Sequence, residues 1–146
     1  MVITPIVNDG RINRSKTTLN KIVAATISLL RKNNNGQIPT AQEIAVKSGV
    51  GIRTVFRHID DMEGLIEEVN RRYLNDLESY IAKNNPKQNS KDQRIEHVIK
   101  ERFYLYNTYQ HVFNLTITSL NNSSAIRTGF IKFNHILRQR FEDLIP

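Results

Sequence analysis

The first regular pattern along the chain is helical: Leu19, Ile22, Val23, Thr26, Ile27 and Leu30 recur at steps of three and four, which places them on one face of an α-helix. Ser15, Thr17 and Thr18 precede this face as candidate N-caps, and Asn33 to Gly36, followed by Pro39, ends it. Thr40-Ala41-Gln42-Glu43 then has the order of a capping box, with the Thr hydroxyl accepting from the Glu amide and the Glu carboxylate reaching back. It predicts a short second helix from Ala41 that Ser48-Gly49 stops, and a third from Gly51 or Ile52 to about Ile59. Asp60-Asp61 caps a long fourth helix whose apolar face is Leu65, Ile66, Val69, Tyr73, Leu77, Tyr80 and Ile81, ending near Lys83.

Asn84 to Ser90 reads as a linker. Beyond it Ile95, Val98, Ile99, Arg102, Phe103 and Tyr106 keep helical spacing, Arg102 being the one polar member, which a helix edge accepts by snorkelling. Val112 to Leu120 fits a strand through Phe113, Leu115 and Ile117, or a helix through Phe113, Ile117 and Leu120; the helical neighbours favour a helix. Asn121 to Ser124 breaks the chain, and Ile126, Phe130, Phe133, Leu137, Phe141 and Leu144 resume helical spacing. The expected fold class is all-α. Residues 1 to 14, with Pro5, Asn8, Asp9 and Gly10 among scattered basics and no period, are expected to be a flexible basic arm.

Two short helices joined at Gly49, with the first helix across them, follow the helix-turn-helix plan. Ile44, Ala45, Val50, Val55 and Ile59 are its inward positions, and Gly49 suits a turn with positive φ. The outward face then carries Gly51, Ile52, Arg53, Thr54, Arg57 and His58.

Charge sharpens this picture. Residues 1 to 58 hold nine Lys and Arg against two acids, a balance of +7, whereas the remainder holds twelve of each and is neutral. A polyanion-binding surface concentrates positive charge on one module in this way, because neutralised phosphates release their counterions. Zero cysteines exclude disulfides, thiolate metal sites and cysteine nucleophiles. The longest nearly apolar run, Ile22 to Leu30, is far short of the roughly 20 residues of a bilayer span, and the N-terminus lacks a signal-peptide pattern; no membrane partner and a cytoplasmic protein are expected. His58, His97, His111 and His135 have no metal-ligand spacing, Asp60-Asp61 is a helix cap before it is a catalytic pair, and no nucleophile–base pair or phosphate loop is present, so no metal, no cofactor and no enzyme are expected.

The stretch Ile-Pro-Thr-Ala-Gln-Glu-Ile-Ala-Val-Lys-Ser-Gly-Val-Gly-Ile-Arg-Thr-Val-Phe-Arg-His-Ile-Asp-Asp-Met-Glu-Gly-Leu-Ile resembles the head of the tetracycline-repressor (TetR) family of bacterial regulators. The likeness covers residues 17 to 70 and rests on Thr40, Ile44-Ala45, Gly49-Val50, Thr54-Val55-Phe56, His58-Ile59 and Leu65. It implies a helix-turn-helix DNA-binding head over residues 15–62 and a helical ligand-binding and dimerisation body over 63–146. The implied function is a homodimeric repressor on a double-stranded DNA operator, released by a small-molecule inducer. Gln42, Ile52, Arg53, Thr54 and Arg57 fall near base edges, and Thr40, Phe56, His58 and Met62 near the backbone.

Chemistry refines those positions. Arg53 and Arg57 can each fork onto guanine, Gln42 can pair with adenine, and the Ile52 or Thr54 methyl can meet a thymine methyl; for Arg53 a phosphate contact is the alternative. The chain departs from the family at Phe56, where Tyr is usual and whose role is then mainly packing, at Met62, where Lys is common, and at Gly51, in place of a capping Ser. Backbone grip is expected to shift to Lys16, Lys47, His58 and the arm through Arg11 and Arg14. The aromatic group Phe103, Tyr104, Tyr106, Tyr109, Phe113, Phe130 and Phe133 is expected mostly as core, with Phe103, Tyr106, Phe113 and Phe130 as the candidate ligand pocket by family analogy. The family body usually continues with two further long helices that form the dimer bundle, so with the last residue at Pro146 either the chain is a fragment or the dimer forms differently. A competing reading is a ligand- or protein-interaction module with a non-functional helix-turn-helix, which the charge split disfavours.

Overall fold

The structure, a computed structural model, describes residues 10–59, 61–86 and 89–145. Among them are seven α-helices and no strand, so the expected all-α class holds: α1 (Gly10–Asn33), α2 (Ala41–Ser48), α3 (Ile52–His58), α4 (Met62–Lys83), α5 (Lys91–Thr108), α6 (Gln110–Ser119) and α7 (Ser124–Leu144). Val112 to Leu120, which fitted either pattern, is helical as far as Ser119. No helix is long and apolar enough to cross a membrane among the described residues.

Helix α1 begins at Gly10, so Gly10 to Arg14 are its first turns and not part of an arm; residues 1–9 and the side chain of Arg11 lie outside the described residues. These turns carry no apolar period because Ile12 to Thr17 are exposed on every side. Thr17 and Thr18, expected as N-caps, instead donate their hydroxyls to the Asn13 and Arg14 carbonyls four residues back, both at 2.9 Å. The helix closes at Asn34, whose φ of 44° is left-handed. Helix α4 starts under an Asp61 cap, the carboxylate accepting from the Gly64 amide at 2.7 Å; Asp60 lies outside the described residues.

One apolar core runs through the molecule. Ile22, Val23 and Leu30 of α1 meet Ile44 and Ala45 of α2, Val55 of α3 and Leu65, Ile66 and Val69 of α4. The same cluster continues through Tyr73 and Leu77 to Leu105, Leu115, Ile126 and Leu137. Each such aliphatic side chain, fully buried, contributes about 1.5 to 3 kcal/mol, so α1 and α4 tie the first three helices to the last three. Helix α7 lies along α4 so closely at Gly129 that an added Cβ would stand 2.5 Å from the Asn70 amide nitrogen. At the far end, Arg140 of α7 and Glu101 of α5 form a buried ion pair at 3.3 Å, and Arg140 also donates to the Asn84 carbonyl that ends α4.

Helix α6 is fastened to the loop between α1 and α2 by one face. Asn114 donates to the Asn34 carbonyl at 3.1 Å, Asn34 donates to the Gln110 side chain at 3.4 Å, and Thr118 donates to the Gly36 carbonyl. These three α6 residues stand four apart, so they line up on one side of the helix. The loop they hold sets where α2 begins.

Candidate nucleic-acid interface

The capping box before α2 forms as its sequence predicts. The Glu43 amide donates to the Thr40 hydroxyl at 3.3 Å, and the Thr40 amide donates to the Glu43 carboxylate at 2.8 Å. The Thr40 hydroxyl proton also goes to that carboxylate, at 2.8 Å, so it is already spent and Thr40 offers an incoming phosphate only its oxygen. The backbone amide of Thr40, then its hydroxyl, hold the Glu43 carboxyl below its ordinary pKa. Two turns later Gly49 ends α2 with φ 68° and ψ 19°, the left-handed conformation that an L side chain enters at a cost. The Ser48 hydroxyl accepts from the Val50 amide at 3.3 Å and steadies the turn.

Helix α3 follows from Gly51, which caps it with backbone alone. Val55 and Ile59 are buried against Ile44, and this anchoring decides which side of α3 faces out. Ile52, Arg53, Phe56 and Arg57 are exposed, whereas Thr54 and His58 are half-buried at the rim of that face. Neither Arg53 nor Arg57 has an ion-pair or hydrogen-bond partner among the described residues. Both guanidinium forks are therefore available to an external acceptor.

Phe56 is 58% exposed, which corrects its expected packing role. It stands one turn beyond Ile52, on the side of α3 that the core leaves free. Val46, 74% exposed on α2 one turn after Gln42, was not singled out by sequence reasoning. Gln42 and Lys47 are exposed on the same helix, and Met62 is half-buried and packs on the core.

Helix α1 extends this surface. Arg14, Ser15 and Thr18 of α1 and Arg57 and His58 of α3 line one open groove of about 450 Å³, and Lys16 is exposed on the same stretch of α1. The groove thus brings two guanidinium groups, Arg14 and Arg57, to one side of the molecule. Arg14, expected within a mobile arm, stands on α1.

The aromatic residues of the body divide. Phe113 and Phe130 line a small cavity with Tyr73, Tyr109 and Phe133 between α4, α6 and α7, with a volume of about 40 Å³. Phe103 and Tyr106 are not part of it: they are 71% and 54% exposed on α5, and Tyr104 is exposed too, which corrects their expected core and pocket roles. Beside the cavity the Tyr73 hydroxyl and His111 Nε2 are 2.8 Å apart and buried. Burial, with the Arg31 charge nearby, lowers the His111 pKa to about 4, and burial raises that of Tyr73. An open cleft of about 710 Å³ between α4 and α7 is larger and more polar, with Glu67, Arg71, Lys132 and His135 in its lining. No group of three or more His, Cys, Asp or Glu side chains is arranged to hold a metal ion among the described residues. No protein-family model, no curated protein and no solved structure matches the chain.

Proposed function

We propose that the chain is a sequence-specific DNA-binding transcriptional regulator of the tetracycline-repressor kind, with α2 and α3 as its helix-turn-helix and α3 as the helix that enters the major groove. The observation that carries this reading is the exposed face of α3, where Arg53 and Arg57, unpaired among the described residues, stand beside exposed Ile52 and Phe56. Bidentate Arg–guanine contacts discriminate by about 1 to 3 kcal/mol each. Apolar Ile52 and Phe56 suit thymine methyls and sugar edges. Arg14, Lys16 and Lys47 supply phosphate contacts around that face, in keeping with the +7 balance of residues 1 to 58.

In this reading the chain acts as a homodimer on a two-fold operator in the bacterial cytoplasm, represses transcription, and is released by a small molecule taken up by the helical body. The cavity at Phe113 and Phe130, at about 40 Å³, holds little more than a water molecule, so an inducer there has to displace aromatic rings. The exposed apolar Val46, Ile52 and Phe56 favour one second reading, a protein-docking face in place of a DNA-reading one.

Selection from random duplexes at two salt concentrations, wild type against Arg53→Ala, separates them. A two-fold site whose preference relaxes at one position per half-site in the mutant supports the DNA reading. Absence of any enriched sequence, with weak binding even at low salt, removes it and leaves protein docking.

A further inference from the structure

Helix α5 presents a stripe of large apolar side chains to the outside. Ile95, Ile99, Phe103 and Tyr106 follow one another at steps of four, four and three, so they share one side of the helix. They are 39, 64, 71 and 54% exposed. Tyr104 belongs to another side, where it stacks on Tyr80 of α4 at 5.0 Å. Next to the stripe, Arg102 donates to the Leu137 carbonyl at 2.6 Å and so joins this edge of α5 to α7. Helix α7 brings Phe130 and Phe141, two turns before and one turn after Leu137, 37 and 47% exposed. Both helices thus expose aliphatic and aromatic side chains around the Arg102–Leu137 contact that joins them.

We propose that this α5–α7 face is the surface on which a second copy of the chain docks, by two-fold symmetry. The proposal deepens the dimer of the proposed function by naming its interface, and takes from that reading only the expectation of two half-sites. Area supports it. The six side chains Ile95, Ile99, Phe103, Tyr106, Phe130 and Phe141 expose roughly 600 Å² between them, given their exposed fractions and usual areas. That is as much apolar patch as a monomer ordinarily carries, and it approaches the roughly 800 Å² per partner of a stable interface once a polar rim is added.

Charge points to the same occupant. The excess of +7 lies within residues 1 to 58, and the rest of the chain, which contains this face, is neutral. Some charges on α5 and α7 are moreover paired within their own helix, Glu96 with Lys100 at 2.6 Å and Arg138 with Glu142 at 2.9 Å. Two copies can therefore meet here apolar side to apolar side, whereas a nucleic acid finds a smaller excess of cations here than on residues 1 to 58. Aromatic residues centred in such a face are the usual anchors of an interface, and a two-fold contact lets each copy offer the same ones.

Sedimentation equilibrium of the full chain at micromolar concentration tests the proposal with Ile99→Glu, Phe103→Glu and, away from the face, Ile117→Glu on α6, which is 80% exposed. The wild type is expected to dimerise, each α5 substitution to weaken association roughly 100-fold, and Ile117→Glu to leave it unchanged. Phe103→Gln, which adds no charge, should move the constant the same way by less, and circular dichroism should show every variant equally helical. A monomeric wild type, a dimer that survives both α5 substitutions, or an equal loss from Ile117→Glu overturns the proposal. Half-site DNA binding by such a monomer leaves the DNA reading standing, while a dimer sensitive to Phe103→Glu that selects no DNA overturns that reading alone.

Discussion

Glu63, in the first turn of α4, closes the N-terminus of α7: its carboxylate accepts from the Ala125 amide at 2.9 Å and from the Ser124 hydroxyl at 3.0 Å. Ser123 caps the same helix conventionally, accepting from the Ile126 amide at 3.1 Å. One acidic side chain thus ties the helix that follows α3 to the last helix of the body. Because free amides and the positive end of a helix favour an anion, the Ala125 amide first, then Ser123, hold the Glu63 carboxyl below its ordinary pKa.

Glu63→Ala is expected to cost about 1 kcal/mol, kept small by solvent screening, and to lower Tm by roughly 3 °C. Glu63→Gln, which keeps an acceptor, should cost less. The contribution of the carboxylate is full above the unfolded-state carboxyl pKa and is lost as pH falls through the lower folded value. Thermal melts of both variants at neutral and acid pH check this, and equal losses from Ala at both extremes would show that the carboxylate charge is irrelevant.

His111 governs a second pH window. It is buried beside the Tyr73 hydroxyl at 2.8 Å with a folded pKa of about 4, so it enters the fold neutral. The unfolded chain takes up the proton near the usual histidine value, which means that its stabilising effect is complete above that value and declines as pH falls toward the folded one. Between about pH 7 and pH 5 the wild type should lose roughly 2 kcal/mol that His111→Gln does not lose. Urea unfolding of the two proteins at both pH values measures the difference, and parallel losses would place the titrating group elsewhere.

What the sequence discloses about this fold is mostly what lies within a few residues. The Thr40–Glu43 box, the Gly49 stop and the Asp61 cap are local hydrogen bonds and dihedrals, and each was legible from neighbouring letters. The start of α1 was not, because its first turns bury nothing and so leave no period. Helical spacing showed that Phe103 and Tyr106 each share a side with other apolar residues, but which side is covered depends on helices far away in the chain, and both turned out exposed. Glu101 with Arg140, 39 positions apart, and Asn34 with Asn114, 80 apart, left no mark in the sequence at all.

Around the α3 face, base contacts and phosphate contacts should separate by salt. Lys16 and Lys47 are exposed lysines on α1 and α2, able to meet a phosphate as point charges. Replacing either by Ala should weaken binding to all sequences alike and reduce the slope of log K against log salt by about 0.9. Arg57→Ala should instead relax preference at one position per half-site. Equilibrium titrations on the selected site and on a scrambled duplex distinguish the two, and a sequence-selective effect from either lysine would reverse the assignment.

The two glycines with left-handed backbone differ in what surrounds them, and this makes the last prediction. At Gly49, with φ 68°, a Cβ meets nothing within 4 Å, so Gly49→Ala pays only for the backbone, about 1 kcal/mol, and Gly49→Asn should recover part of it. At Gly36, with φ 71°, a Cβ would stand 2.6 Å from the Asn114 carbonyl oxygen and 2.8 Å from the Thr118 methyl. The first of these is backbone and cannot swing aside, so α6 has to withdraw from the loop and the Thr118–Gly36 hydrogen bond is broken. Gly36→Ala should therefore cost about 2 to 4 kcal/mol, and Gly36→Asn should not rescue it, since Asn relieves backbone strain but not the collision. Chemical denaturation of the four variants decides the matter: if Gly36→Ala costs no more than Gly49→Ala, the contact between α6 and the α1–α2 loop is looser than these distances state.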